Sequence, residues 1–357
     1  MKQVLIIPTN SLGYEGITSV IQNYLIHMDL TDLSIDVLTS EDTPDALFQN
    51  FSKFSKVLVV PNRKRKAMEY MRHLDTLMKK KYDIVHVHGN SGTMMIETLL
   101  AKKNHIKKII VHCHANRCDH MILNVVMREI MKLTATDFLA CSKAAGNWLY
   151  RNASYTVINN AIDVDKFQYT KSTRKEVRHE LGLQYEVLIG HIGHFTPPKN
   201  HFFLVDIFKA YHEINSNSKL LLIGDGTVYD SVKNKVERDG LKDSVIFTGR
   251  RNDCDRLYQT MDLFLLPSKI ESFGIVTLEA QAAGLPCLVS DVVPIETKCS
   301  DRIFYQSLED TPQTWAEMIN KIVLRNYDRN TKVSEKIKEN GYDIFEESKK
   351  VRNLYLN

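Results

Sequence analysis

The sequence predicts an α/β protein made of two doubly wound domains, each a parallel sheet covered by helices. Three observations carry that prediction. Short β-branched runs alternate with polar or amphipathic segments along almost the whole chain, the rhythm of parallel strands joined by crossover helices. The rhythm pauses once, at NNAIDVDKFQYTKSTRKEV, and restarts at EVLIGHIGH, so the intervening segment reads as a linker. The 357 residues are enough for two domains that each bury a core. The expected division is 1–162, then 163–340, then a terminal helix over 341–357 that returns to the first domain.

Taken in order, QVLII, IDVLT, KVLVV, DIVHVH, KIIVH, DFLAC and YTVI supply the strands of the first domain. Open parallel sheets bind ligands at the carboxyl ends of their strands, so chemistry is expected in the loops that follow strands, with the two sheets turned toward a shared crevice. After the first strand, Gly13 and Gly16 open a helix and let backbone N–H groups approach an anion or a sugar, although a glycine at such a turn is as often purely structural. The stretch NRKRKAMEYMRHLDTLMKKKY, residues 62–82, puts eight basic residues beside Ala67, Met71, Leu74 and Met78 at helical spacing. It reads as an amphipathic basic helix, either packed on its own domain with a solvated face or attracted to an anionic membrane surface.

Two strand ends carry histidines. His86 and His88 read as structural groups that satisfy nearby backbone. His112 and His114 share one face of their strand, with Cys113 on the other, where a histidine suits hydrogen bonding to a substrate. A metal site joining that pair to Cys118 and His120 fits no common zinc spacing.

The second domain runs through EVLIGHIGH, KLLLIG, SVIFTG, LFLLP and PCLVS, and after about residue 310 only helices remain. GHIGHFTPPKN delivers His194 and Lys199 just before a helix, where a lysine can hold a phosphate as a point charge; an ordinary surface lysine would look the same. LLIGDG and IFTGRR supply further loops, with Arg250 and Arg251 available to a nucleotide. In KIESFGIVTLEAQAAGLP, Glu271 and Glu279 stand eight positions apart. On one helix they would point roughly 80° apart and miss a common target. A break at Gly274 instead leaves Glu271 on a loop and Glu279 on a helix that Gly284 caps and Pro286 stops, so that both carboxylates face a ligand over the helix start.

Composition, 43% hydrophobic and 25% charged, is that of an ordinary globular protein. No apolar run approaches the roughly 20 residues of a membrane span, and the N-terminal apolar stretch is too short for a secretory signal, so a cytoplasmic protein is expected. Six cysteines without a Cys-x-x-Cys pair read as free thiols. The net charge of +4 is uneven: residues 1–160 hold 20 Lys and Arg against 14 Asp and Glu, and the remainder 27 against 29. No aromatic residues interleave with the basic ones, which excludes nucleic acid as the expected partner.

The segment from Glu271 to Glu279, followed by AQAAGLPCLVS, resembles the Glu-x7-Glu motif of the retaining glycosyltransferases of family 4. CSKAAGNWLY, VINNAIDVDKF, GHFTPPKN and LIGDG resemble other segments of that family in the same order, so the resemblance covers essentially the whole chain and is closer to the bacterial capsular and exopolysaccharide members. It implies the GT-B fold and transfer of a sugar from a nucleotide-sugar donor, UDP-linked by family habit, to a glycan acceptor. That acceptor is implied to be a lipid-linked intermediate of capsule or exopolysaccharide synthesis, met at the inner face of the membrane. Retention by same-face attack is also implied, the leaving phosphate taking the acceptor proton. Glu271 would hold donor-sugar hydroxyls, Glu279 the ribose, and the stretch Ser272, Phe273, Gly274, Ile275 and Val276 the diphosphate through its backbone. His114 matches the active-site histidine, Gly16 the glycine facing the diphosphate, and Lys199 the phosphate-binding lysine. Members need no metal and no cofactor, because lysine, arginine and the helix dipole neutralise the departing diphosphate.

Two departures stand out. Glu15-Gly16 replaces a usual Gly-Gly pair, and His194 replaces a usual arginine five residues before Lys199, leaving Arg250 or a protonated His194 to supply that charge. The competing readings are a nucleotide-sugar epimerase or phosphorylase of similar fold, an inactive sugar-nucleotide-binding homologue, and an NAD-dependent oxidoreductase. The last rests on Gly13, Gly16 and Asp36, an incomplete fingerprint without its middle glycine.

Overall fold

The computed structural model describes residues 1–14, 16–80, 82–115, 118, 121–329 and 333–357, so Glu15 and His120 lie outside the described residues. The chain divides into one unit of Met1–Ala161 with Ile344–Asn357 and another of Ile162–Asp343.

The first unit runs β1 (Lys2–Pro8), α1 (Gly16–His27), β2 (Leu33–Ser40), α2 (Asp45–Phe51), β3 (Lys56–Val60), α3 (Ala67–Met78), β4 (Ile84–Gly89), α4 (Met95–Lys103), β5 (Lys108–Cys113), α5 (Met121–Thr134), β6 (Asp137–Ala140), α6 (Lys143–Tyr150) and β7 (Thr156–Val157). Its seven strands are ordered β3-β2-β1-β4-β5-β6-β7, and neighbouring strands pair in parallel. Strands buried on both faces favour apolar residues at every position, which is why β1 reads as a nearly continuous run, whereas β4 buries His86 and His88 among its apolar residues. One face packs on α3, α4, α5 and α6 through Tyr70, Leu74, Ala101, Met131 and Leu149. The other packs on α1 and α2 through Val20, Tyr24 and Phe51, and on the last helix of the chain through Ile344, Val351 and Tyr355.

The second unit runs α7 (Lys171–Glu180), β8 (Val187–Ile192), α8 (His201–Ile214), β9 (Ser218–Ile223), α9 (Tyr229–Arg238), β10 (Val245–Gly249), α10 (Cys254–Thr260), β11 (Leu263–Leu266), α11 (Ile275–Ala282), β12 (Cys287–Ser290), β13 (Ile303–Gln306), α12 (Pro312–Val323) and α13 (Val333–Glu339); α14 (Ile344–Leu356) then joins the first unit. Its sheet is ordered β10-β9-β8-β11-β12-β13. Helices again cover both faces, α8, α9 and α12 on one and α7, α10, α11 and α13 on the other.

Four expectations are corrected. The supposed linker holds a helix, α7, because Thr170 caps it and Arg174 ties it to Asp262 at 2.6 Å and to neighbouring carbonyls. β13 went unpredicted; its four residues, IFYQ, are too few to show a period. The boundaries move to 161 and 344, since Ile162 hydrogen-bonds Tyr342 and bridges to Asp343, which holds all three in the second unit. The basic segment 62–82 is not one helix. α3 starts only at Ala67, and its buried row is Tyr70, Leu74 and Met78. Arg63 is withdrawn into the protein, where its guanidinium grips Glu97 at 2.7 and 3.1 Å.

Candidate active site

In the second sheet the strand order reverses between β8 and β11, with β9 and β10 to one side and β12 and β13 to the other. In an open parallel sheet such a reversal is where ligands bind, outside the carboxyl ends of the strands. After β8, Pro197–Lys199 makes a single 3-10 turn, and Asn200, held left-handed at φ 60°, starts α8. The loop after β11 is fastened to it: the Lys269 N–H donates to the Pro198 carbonyl at 2.8 Å and the Asn200 amide to the Pro267 carbonyl at 3.1 Å. Lys199 and Glu271 therefore meet across 72 residues of sequence, Nζ to Oε2 at 2.5 Å, with the Ser268 hydroxyl donating to the same oxygen at 3.3 Å.

Gly274 turns the chain into α11 with φ 81°, a left-handed conformation that costs a side-chain-bearing residue roughly 1–2 kcal/mol. An added Cβ there would sit 3.2 Å from Cγ of Glu271, which places that carboxylate's stem against the helix start. Among the described residues no side chain caps α11, so its first amides, those of Ile275 and Val276, keep the positive end of the helix open to an anion. Ser272 is exposed, and Phe273 is buried against Tyr342. Glu279 projects one turn into the helix, with the Tyr258 hydroxyl 2.9 Å from its Oε2. Burial pushes the Glu279 carboxyl up to about 7, against the pull of the Tyr258 hydrogen bond and Lys166. Gly284, at φ 70°, ends the helix before Pro286.

His194 stands half-buried on the loop after β8, beside Gly226 of the β9 loop, where a Cβ would come within 2.7 Å of the imidazole. Asp225 on that same loop accepts from Arg250 Nε at 2.5 Å. His194, Lys199, Arg250 and Glu271 thus all arise from loops at the carboxyl ends of β8, β10 and β11. Ser268 beside Glu271, Asp225 beside Arg250 and Tyr258 beside Glu279 were not picked out from the sequence. Only Asp225, set between the two glycines of LIGDG, left any signal there.

The first sheet reverses between β1 and β4. Thr9, leaving β1, donates its N–H to the His88 carbonyl at 2.9 Å, and His114, leaving β5, donates its own to the Gly89 carbonyl at 3.1 Å. A cleft of about 320 Å³ opens at the ends of β1, β2 and β3, lined by Thr9, Ser11, Gly13, Asp42, Asn62 and Lys64 among others. Gly16 begins α1, and among the described residues other than its chain neighbours nothing lies within 4 Å of where its Cβ would be.

The histidines form a ladder. β4 and β5 pair with His88 opposite His112, and the rings of His86, His88, His112 and His114 stack at centroid spacings of 4.1 to 5.5 Å. His88 Nδ1 lies 2.9 Å from His114 Nε2, and His86 Nδ1 lies 2.6 Å from the Tyr355 hydroxyl. His86 and His88 therefore spend these nitrogens on side chains, not on nearby backbone as expected. Burial lowers the His114 imidazole to about 3, so at neutral pH it is uncharged, and its Nδ1 meets no hydrogen-bond partner among the described residues. Three of these rings offer nitrogens within 4.8 Å of one another.

Comparison with known proteins agrees across both units. The profile described as Glycosyl transferases group 1 matches residues 173–343, and that of Glycosyltransferase Family 4 matches residues 14–166. The chain is 25% identical to the putative glycosyltransferase EpsF of Bacillus subtilis over 95% of its own length and 93% of the relative's. It is 26% identical, over 82% of its length and 80% of the relative's, to the UDP-Gal:alpha-D-GlcNAc-diphosphoundecaprenol alpha-1,3-galactosyltransferase of Escherichia coli. Among solved structures it superposes on HepE of Anabaena in complex with UDP-glucose with a TM-score of 0.80 at 16% identity, covering 99% of both chains.

Proposed function

The chain belongs to the family 4 glycosyltransferases of the GT-B fold, and from that premise we propose that it transfers a sugar, with retained anomeric configuration, from a UDP-sugar to a lipid-diphosphate-linked glycan. The observation that carries the reading is the joined pair of loops that sets Lys199 on Glu271 over the uncapped start of α11. A cation and a row of free amides suit a diphosphate, and a carboxylate beside them suits sugar hydroxyls. Glu279, one helix turn on, suits the ribose in the same way.

In this reading the bond between the anomeric carbon and the diphosphate oxygen breaks, and the electron pair leaves with the nucleoside diphosphate. The acceptor hydroxyl bonds to the carbon on the same face and gives its proton to the departing phosphate oxygen. Lys199 and the α11 amides stabilise the charge that develops on that oxygen, while Glu271 orients the sugar. Positive charge for the diphosphate is thus supplied by the chain itself, so no metal or cofactor is assigned to the step. The lipid diphosphate is supported by the named activity of the Escherichia coli relative, and the uracil base by that name and by the nucleotides bound in the HepE structures.

The test is a screen of UDP-sugars for thermal stabilisation and for transfer to sugar-diphosphate lipids. A ligand at 100 times its Kd is expected to add about 2.7 kcal/mol of stability. Conversion of donor alone into an epimer would point to an epimerase, and binding of donor without turnover on any acceptor would point to an inactive homologue.

A further inference from the structure

We infer that the second unit carries a further binding site, at the opposite end of its sheet from Lys199 and Glu271, for a small phosphate ester whose ring is covered by Tyr185. A cavity of about 980 Å³ opens at the amino ends of β8, β11 and β12, where Val187, Asp262 and Pro286 line it between α7 and the segment that follows α12. Small-molecule sites are of this size. β8 spans roughly 15–20 Å at about 3.3 Å per residue, so this cavity and the loops that carry His194 and Lys199 lie at opposite ends of the same strand.

The lining says what the cavity takes. α7 gives it Lys171, Arg174, Lys175 and Arg178. Positions spaced by three and four share one face of a helix, where like charges repel and lower stability. The two glutamates of α7, Glu176 and Glu180, do not relieve that repulsion by an ion pair within the row; both go to Arg256, at 2.9 Å each. Arg329 adds a third guanidinium to the wall, laid over the Tyr169 ring at 4.3 Å. Three guanidiniums thus share one carboxylate, Asp262, which lies 2.6 Å from Arg174 and 3.6 Å from Arg178. Arg329 donates to the carbonyls of Tyr258, Gln259, Met261 and Ala283, and burial and the neighbouring Arg174 disfavour its charged form. Of the other lining carboxylates, Glu186 accepts the Gln184 N–H at 2.6 Å and Asp328 is exposed, so five Lys and Arg stand against three carboxylates. Lys171 and Lys175 are exposed and make no ion pair among the described residues. Two ammonium groups before a wall of guanidiniums suit a phosphate. Tyr185, on the loop between α7 and β8, lines the same cavity with 89% of its surface exposed, and a ring so placed suits stacking on the rest of a phosphate ester.

The experiment is calorimetric titration with inorganic phosphate, glucose 1-phosphate and UMP. It is run on Lys199→Ala, which weakens the donor site, alone and combined with either the pair Lys171→Gln, Lys175→Gln or with Tyr185→Ser. Lys199→Ala is expected to keep one saturable site for an ester, weakened roughly 10-fold or more by the two glutamines and weakened also by salt. Tyr185→Ser is expected to weaken the ester several-fold and to leave inorganic phosphate unchanged. Tighter binding of glucose 1-phosphate names a sugar phosphate as the ligand class and tighter binding of UMP a nucleotide; both uphold the site. In the otherwise wild-type chain the two glutamines relieve repulsion on α7, so the unliganded thermal midpoint is expected at or above that of the wild type, with affinity for UDP unchanged. Equal affinity with and without the two lysines, or no saturable binding of any probe, overturns the inference. So does a lower midpoint for the unliganded double variant, which would make the lysines part of the fold's own ion network. Esters bound no more tightly than phosphate, and unaffected by Tyr185→Ser, would overturn the ester class. The site shares no side chain with Lys199 and Glu271, so a failure to find glycosyl transfer would leave these results standing.

Discussion

At the scale of single residues, the weight falls on Lys199, Glu271 and Glu279. Lys199→Ala and Glu271→Ala are each expected to lower turnover by about 2–4 kcal/mol of transition-state stabilisation while leaving the unfolding curve close to wild type, because neither side chain belongs to a core. Wild-type turnover by either folded variant would contradict their assignment. Glu279 adds a pH dependence. With its carboxyl raised to about 7, it is largely protonated at pH 6 and ionised at pH 8. A ribose hydroxyl donates to the ionised form, so on the proposed role of Glu279 affinity for UDP is expected to rise from pH 6 to pH 8, and Glu279→Gln to flatten that rise; calorimetric titration across this range would decide. In the unliganded protein the sign runs the other way. A carboxyl that holds its proton more tightly when folded loses stability as pH climbs from the ordinary value of 4.5 toward 7. The two glutamates were legible in the sequence because Gly274 and Gly284 announce where the helix begins and ends. The ion pair that Glu271 makes with Lys199 was not, since it depends on two loops meeting where a sheet reverses. Nor was the histidine ladder, which depends on the register of β4 against β5.

At the scale of elements, two glycines make opposite predictions. Gly274→Ala is expected to destabilise the protein by about 1–2 kcal/mol in urea unfolding and also to weaken donor binding, because the residue is left-handed and its new Cβ would press on the stem of Glu271. Gly16→Val, where no group among the described residues beyond its chain neighbours lies within 4 Å of the new Cβ, is expected to leave stability within about 1 kcal/mol and still weaken donor binding by filling the space above α1. Equal effects of the two substitutions on stability would contradict this account of the turns. Periodicity found nearly every helix and strand, because crossover helices and buried strands have distinct repeats. It failed at the basic segment, where a helical spacing of Ala67, Met71, Leu74 and Met78 concealed that the four preceding cations lie outside α3 and that one of them serves Glu97. It did not reveal that α5 turns Ile122, Val126 and Leu133 outward and Asn124 and Arg128 inward, since spacing alone does not say which face of a helix is the core.

At the scale of the whole molecule, the two doubly wound units were legible from the alternation of strands and helices. Among the described residues no helix is long and apolar enough to cross a membrane. On the proposal that Lys199 and the start of α11 supply positive charge for the diphosphate, turnover is expected to persist in EDTA; loss that manganese restores would contradict that part of the mechanism. The measurement that bears most directly on the central claim is the structure of the product. Purified protein would be given UDP-sugars and an undecaprenyl-diphosphate-linked sugar, and the new glycosidic bond examined by NMR. The account predicts a disaccharide on the lipid diphosphate whose transferred sugar keeps the anomeric configuration of the donor, formed by the wild type and not by Lys199→Ala or Glu271→Ala. An inverted linkage, or an epimerised donor with no glycosylated lipid, would contradict it.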